Sequence, residues 1–325
     1  MPGPLAKTLR ARHPAPIMRK AGMMDDHLET GALKRPIWLR IWQFPLVSMV
    51  VALVLVIGVA WLSSLAVEYV IDPNVTGPLG LFLGVISLIA LCLIVYKLAI
   101  RRLGAKKHDD LPFDTIALRD TVLGFAAGTL LISSCVGLAA LFGVYRITGW
   151  GSFAHWPEIL ILTGLYAGFF EELLIRGIVL RWLEELTGSW IALALSSLLF
   201  GLLHAGNDNA TFFSSFAIAV EAGILLGAAY MLTRSLWLAM GLHAGWNVAQ
   251  GLWDVPISGN DFSGIVNAQM EGPVLLSGGG FGLEATIFTL VVATGAGIWM
   301  LTRAATTGRI VKPIWSRKGQ AITAY

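Results

Sequence analysis

The sequence predicts an all-α polytopic membrane protein, with about eight transmembrane helices and a core helical bundle enclosing a polar cavity. Three observations predict it. The chain is 56% hydrophobic and only 13% charged, with a mean hydropathy of +0.73, whereas a soluble domain carries roughly a quarter charged residues. Apolar stretches of about 20 residues, the length that crosses a hydrocarbon core, recur along it. The basic residues fall in alternate connections between those stretches.

The stretches lie at 45–68, 79–100, 121–145, 158–180, 190–205, 211–232, 236–253 and 286–302. They are continuous rather than alternating, which favours helices over a membrane barrel. The polar, basic first 44 residues and the long first apolar run do not resemble a cleavable signal peptide. The only cysteines, Cys92 and Cys135, sit inside apolar runs, where a packed thiol is expected and a disulfide framework is excluded.

Charge sets the expected orientation. Of 23 Lys and Arg, 20 lie in 1–44, 101–120, 181–189, 233–235 and 303–325, while the intervening connections contain only Arg146. Positive charge accumulates on the cytoplasmic side, so the sequence predicts a multi-pass plasma-membrane protein with both termini cytoplasmic. The partners this implies are the lipid bilayer and a membrane-associated peptide or protein; nucleic acid is not expected, because the charge is spent on topology.

The expected organisation is a cytoplasmic basic tail at 1–44, N-terminal transmembrane helices at 45–157 and a core at 158–253. An extracytoplasmic loop at 254–285 and a last helix with a cytoplasmic tail at 286–325 follow. Trp38 and Trp42 predict an interfacial piece near Ile37–Phe44. The run Gly278-Gly279-Gly280-Phe281-Gly282 has no following Lys and reads as a flexible connector rather than a phosphate cradle.

Ionisable groups inside spans are costly, so each marks a candidate site. They gather in the core: Glu171, Glu172 and Arg176 on the fourth stretch, His204 at the end of the fifth, Glu221 on the sixth, and His243 and Asn247 on the seventh. Glu172 and Arg176 stand at i,i+4 with the acid first, the favourable order for a pair. Glu172 is thus the expected counter-ion, and Glu171, about 100° around the helix, is free for other work. His243 and Asn247 share a face, while Gly241 and Gly245 offer the opposite face for close packing. Counting about 1.5 Å per residue from the cytoplasmic ends places Glu171, His204, His243 and Asn247 about 10 to 21 Å deep, which predicts one cavity open to the cytoplasm. Glu221 either pairs with another polar group or lines that cavity.

A spare carboxylate, two histidines and an amide can activate water and stabilise an oxyanion, chemistry that suits peptide-bond hydrolysis. The signatures His-Glu-x-x-His, Gly-x-Ser-Gly and Gly-x-Gly-Asp are absent. The combination Glu171-Glu172-x-x-x-Arg176, Phe200-x-x-x-His204 and His243-x-x-x-Asn247, in this order, resembles the CPBP family of intramembrane proteases. That family includes type II CAAX prenyl endopeptidases and the bacteriocin-processing and immunity (Abi) proteins. The resemblance covers about 158–253. It implies catalysis by Glu171, a nucleophilic water held with the help of His204, oxyanion stabilisation by His243 and Asn247, and motif roles for Glu172, Arg176 and Phe200. It implies no cofactor and does not imply prenylated substrates.

Two alternatives accompany the glutamate endopeptidase. One is a metalloprotease with zinc on Glu171, His204 and His243. The other is a non-proteolytic transporter, immunity or scaffold protein using the same cavity.

Overall fold

The structure, a computed structural model, describes residues 36–69, 77–105 and 107–317. Most of the predicted N-terminal tail, part of the first connection and the last eight residues lie outside the described residues. A short helix, Ile37–Trp42, precedes the bundle and exposes Trp38 and Trp42, as an interfacial segment would.

The bundle is built from eight helical segments. α1 is Pro45–Tyr69, α2 Gly77–Leu98 and α3 Thr115–Leu141. α4 is one continuous helical run in four pieces: π-helix Glu158–Tyr166, α-helix Ala167–Leu174, π-helix Ile175–Leu180 and α-helix Arg181–Thr187. α5 is Ser189–Leu203, α6 Phe212–Thr233, α7 Trp237–Leu252 and α8 Ile287–Thr306. Their starts follow sequence chemistry: Asp114 caps α3 by accepting from Ala117 N at 2.8 Å, and Thr211 and Ser214 form a reciprocal cap on α6.

Among the described residues six helices are long and apolar enough to cross a membrane, against the eight expected. The other two are helical but differ in kind. α4 alternates between π and α geometry and carries Glu171, Glu172 and Arg176, and α7 has only 16 residues. Outward-facing Leu130, Leu141, Leu202 and Trp299 remain largely exposed, which suits helices bathed in hydrocarbon rather than water. Cys92 and Cys135 are buried, free thiols.

α7 lies at the centre because glycines let its neighbours approach. A Cβ at Gly245 would stand 2.1 Å from Phe125 O of α3, and one at Gly128 of α3 would stand 2.1 Å from Leu242 O. The Gly241 and Gly245 face therefore packs, as its spacing predicts, and the opposite face of α7 is left for polar side chains.

The ends of the bundle differ chemically. At the basic end, buried Asp110 accepts from Tyr96 at 2.9 Å, Arg181 at 2.9 Å and Tyr230 at 2.8 Å. That one carboxylate ties α2, α4 and α6 together. Burial raises its proton affinity, but the charge of Arg181 and the His108 contact outweigh burial and hold Asp110 down at about 2.

The opposite end contains an element the helical reading did not foresee. Strands β1 (Tyr145–Trp150) and β2 (Val266–Met270) pair antiparallel, with an irregularity between Ile147 and Gly149. The glycine run is also a built turn rather than a flexible connector. Gly278, Gly279 and Gly282 adopt φ of 73°, 58° and 103°, which glycine alone takes without cost. A Cβ at Gly282 would lie 2.1 Å from Pro256 O.

Candidate active site

The fourth helix brings the glutamates in, and its geometry separates them. Glu172 is fully buried, and its Oε1 accepts from Arg176 Nη1 at 2.8 Å and from His243 Nδ1 at 2.9 Å. The guanidinium also donates to Ala222 O at 3.1 Å and lies over the Phe200 ring at 4.5 Å. Arg176 is thereby neutralised, hydrogen-bonded and stacked, which a charge at membrane depth requires. The expected pair forms, and Glu172 additionally fixes His243, a link the sequence spacing does not reveal.

Glu171 makes none of these contacts. It is half-buried, and its Oε2 is buried with no hydrogen-bond partner among the described residues. It lies within electrostatic reach of His243, Arg176 and Tyr166, leaving it uncommitted beside a fixed imidazole.

The two histidines are oriented by different partners. His204 sits just beyond the end of α5, and its Nδ1 bonds to Phe200 O at 2.8 Å. A carbonyl can only accept, so Nδ1 carries the proton and a neutral ring presents Nε2 as an acceptor. His243 Nδ1 must likewise donate to the Glu172 carboxylate. The Phe200 ring lies between the histidines, 4.5 Å from His204 and 6.2 Å from His243, centroid to centroid.

Asn247 uses Nδ2 to donate to Thr163 O at 2.9 Å. Thr163 O is reachable because this stretch of α4 is π-helical, and π segments leave carbonyls displaced from the regular α ladder. One of the two amide hydrogens is therefore spent on holding α4 to α7.

A partly enclosed cavity of about 30 Å³ is lined by His204, Glu221, His243 and Asn247 on the helices, and by Ser258 and Glu284 from the 254–285 loop. It lies where the 254–285 loop meets the helices: α5 ends at Leu203, so His204 stands at the end of its helix and the loop folds over it. Asn207 and Asn209 secure that loop through Ser258 O at 3.0 Å and Gly259 O at 3.1 Å. Glu221 lines this cavity; Glu171 approaches from α4 without contributing to its lining. Sequence reasoning missed Glu284 and Ser258, although an acid two residues before the Thr286 helix cap was a visible signal.

Among the described residues no group of three or more His, Cys, Asp or Glu side chains is placed to hold a metal ion, so Glu171, His204 and His243 do not converge as the zinc alternative requires.

Residues 153–249 match a family model described as type II CAAX prenyl endopeptidase Rce1-like. This stretch is an Rce1-like domain. The match covers under a third of the chain, and it spans all of the motif residues. No curated protein and no solved structure matches the chain. The Rce1-like family is one of glutamate intramembrane proteases, and residues 153–249 resemble its domain. The fold around it agrees, since α4, α5, α6 and α7 carry the Rce1-like stretch within a bundle of membrane-length helices.

Proposed function

We propose that the chain is an intramembrane endopeptidase that hydrolyses peptide bonds of membrane-associated proteins or peptides. Glu171 and His204 activate the attacking water, and His243 with Asn247 stabilises the oxyanion. The observation that carries this reading is the division between adjacent glutamates: Glu172 binds Arg176 and His243 through Oε1, though its Oε2 is unpartnered, while Glu171 makes no hydrogen bond to either residue and its buried Oε2 has no partner among the described residues. A carboxylate without a structural partner is the group available as a base.

The tautomers support the division of labour. His204 Nε2 is an acceptor, suited to holding a water proton. His243 Nε2 donates to an oxyanion only when the ring carries both protons, so its role requires the imidazolium, for which Glu172 is the counter-ion. The second amide hydrogen of Asn247 supplies the other donor; one such donor is worth roughly 2.7–4 kcal/mol in a transition state.

The same reading takes α4 and α7 as the seventh and eighth membrane-embedded segments. It places both termini on the cytoplasmic side of the plasma membrane and the cavity toward the outer side. The boundaries 1–44, 45–157, 158–253, 254–285 and 286–325 are its domain organisation. Comparing membrane-peptide profiles of cells carrying the native protein and Glu171→Gln tests it. A membrane-associated precursor should accumulate only with the variant, and identical profiles would count against proteolysis.

A further inference from the structure

The motif histidines occupy one wall of the cavity, and the other wall carries two buried carboxyl groups, Glu221 and Glu284, with no Lys or Arg among the residues that line it. Glu221 is 1% exposed, and neither of its carboxyl oxygens has a hydrogen-bond partner among the described residues. The hydroxyl of Thr289 lies beside it, but that proton is given to Leu283 O at 2.8 Å. Glu284, also buried, accepts from the Ser258 backbone N–H, and from its hydroxyl at 3.2 Å. Burial lifts Glu284 to about 7, against the lowering effect of the Ser258 donors. Gln250, next to Glu284, is fully buried; it donates Nε2 to Pro256 O and leaves Oε1 without a partner.

The nearby cationic groups are already used. Arg176 and His243 both turn to Glu172. A buried carboxylate without a counter-charge is costly, so this wall is complementary to a group that brings donors and positive charge. An ammonium has three donors and no acceptor. Its head is about the size of a water molecule, which a space of about 30 Å³ admits, whereas a planar guanidinium is larger and demands a fork of partners.

We propose that Glu221 and Glu284 form a subsite for a primary ammonium group, the side chain of a lysine in the substrate. Because the subsite shares its cavity with His204, His243 and Asn247, the lysine lies next to the bond that is cut. As a specificity element this rests on the endopeptidase reading; as a binding site it does not.

The test measures binding apart from catalysis. The full chain in lipid nanodiscs, native and Glu171→Gln, is titrated with n-butylammonium and with its neutral analogue 1-butanol. The expected result is saturable binding of n-butylammonium to both proteins, at least tenfold tighter than 1-butanol, and weakened at least tenfold by Glu221→Gln or Glu284→Gln. Equal binding of the alcohol, or no saturable binding to the native protein, overturns the proposal without needing either cavity variant to fold. Indifference of binding to both variants overturns it as well. Displacement by sodium or calcium at lower concentrations than n-butylammonium itself requires would make the wall a metal-ion site and also overturn it. A protein that binds n-butylammonium as expected but cleaves nothing would leave the subsite standing and remove the endopeptidase reading.

Discussion

Oε1 of Glu172 stands 2.9 Å from Nδ1 of His243 and 2.8 Å from Nη1 of Arg176, so a single carboxylate oxygen joins α4 to α7 inside the bundle. Removing its charge leaves Arg176 buried without a counter-ion and releases the imidazole. Glu172→Gln is expected to lower both thermal stability and activity, since breaking a buried pair costs roughly 3–5 kcal/mol. Thermal unfolding in detergent checks this. An unchanged melting temperature would mean that the pair is not structural.

The close approach of α3 and α7 makes the second expectation. A β-branched side chain at position 245 has no room beside Phe125 O. Gly245→Val should destabilise the protein by about 1–3 kcal/mol, the usual cost of overpacking. It should also reduce turnover by displacing His243 and Asn247 on the other face of α7. Native stability in unfolding experiments would show that the helices can separate freely.

At the basic end, His108 Nε2 contacts Asp110 Oδ1 at 3.2 Å. That hydrogen bond holds His108 above the ordinary imidazole range, against burial and the charge of Arg181; the charge of Asp110 and the Arg234 carbonyl assist. Stabilisation from a raised histidine is complete below its unfolded value, about 6.5, and is lost as pH climbs through the folded value. Asp110, at about 2, stays ionised throughout. Glu284, at about 7 when folded, also loses stability as pH rises, beginning above its unfolded value of about 4.3. The His108 contribution is therefore read as a difference: between pH 6 and 8 the native melting temperature should fall more steeply than that of His108→Gln. Parallel curves would show that His108 carries no pH-linked stability.

Orientation makes a further expectation. Gly264 is buried, and a Cβ there would meet Gly251 O at 2.4 Å, so neighbouring exposed Asp261 is the better labelling position. In a background lacking Cys92 and Cys135, Asp261→Cys should react with an impermeant thiol reagent from outside intact cells, and Thr307→Cys only after permeabilisation. The reverse pattern would place the cavity on the cytoplasmic side.

The helices were legible because lipid imposes a simple rule: long apolar runs must be helical, and charge marks their ends. The Glu172–Arg176 pair and the Gly241, Gly245 packing face were legible because both follow from helical spacing alone. What spacing could not show is what crosses between elements. The bond from Glu172 to His243 and the one from Asn247 to Thr163 depend on how α4 and α7 are juxtaposed. The π geometry of α4 has no periodicity signal strong enough to read. The oxygen wall of Glu221, Glu284 and Ser258 required the 254–285 loop to fold back over His204, and glycines that read as slack in sequence were the residues that made that tight turn possible.

The central claim is that Glu171, and not its neighbour, performs the chemistry. The measurement is the cleavage rate of the accumulating precursor by purified protein in nanodiscs, native against Glu171→Gln, with thermal unfolding of both. The account predicts no detectable cleavage by Glu171→Gln at an unchanged melting temperature, with native activity surviving exhaustive chelation. Cleavage by Glu171→Gln at the native rate would contradict it.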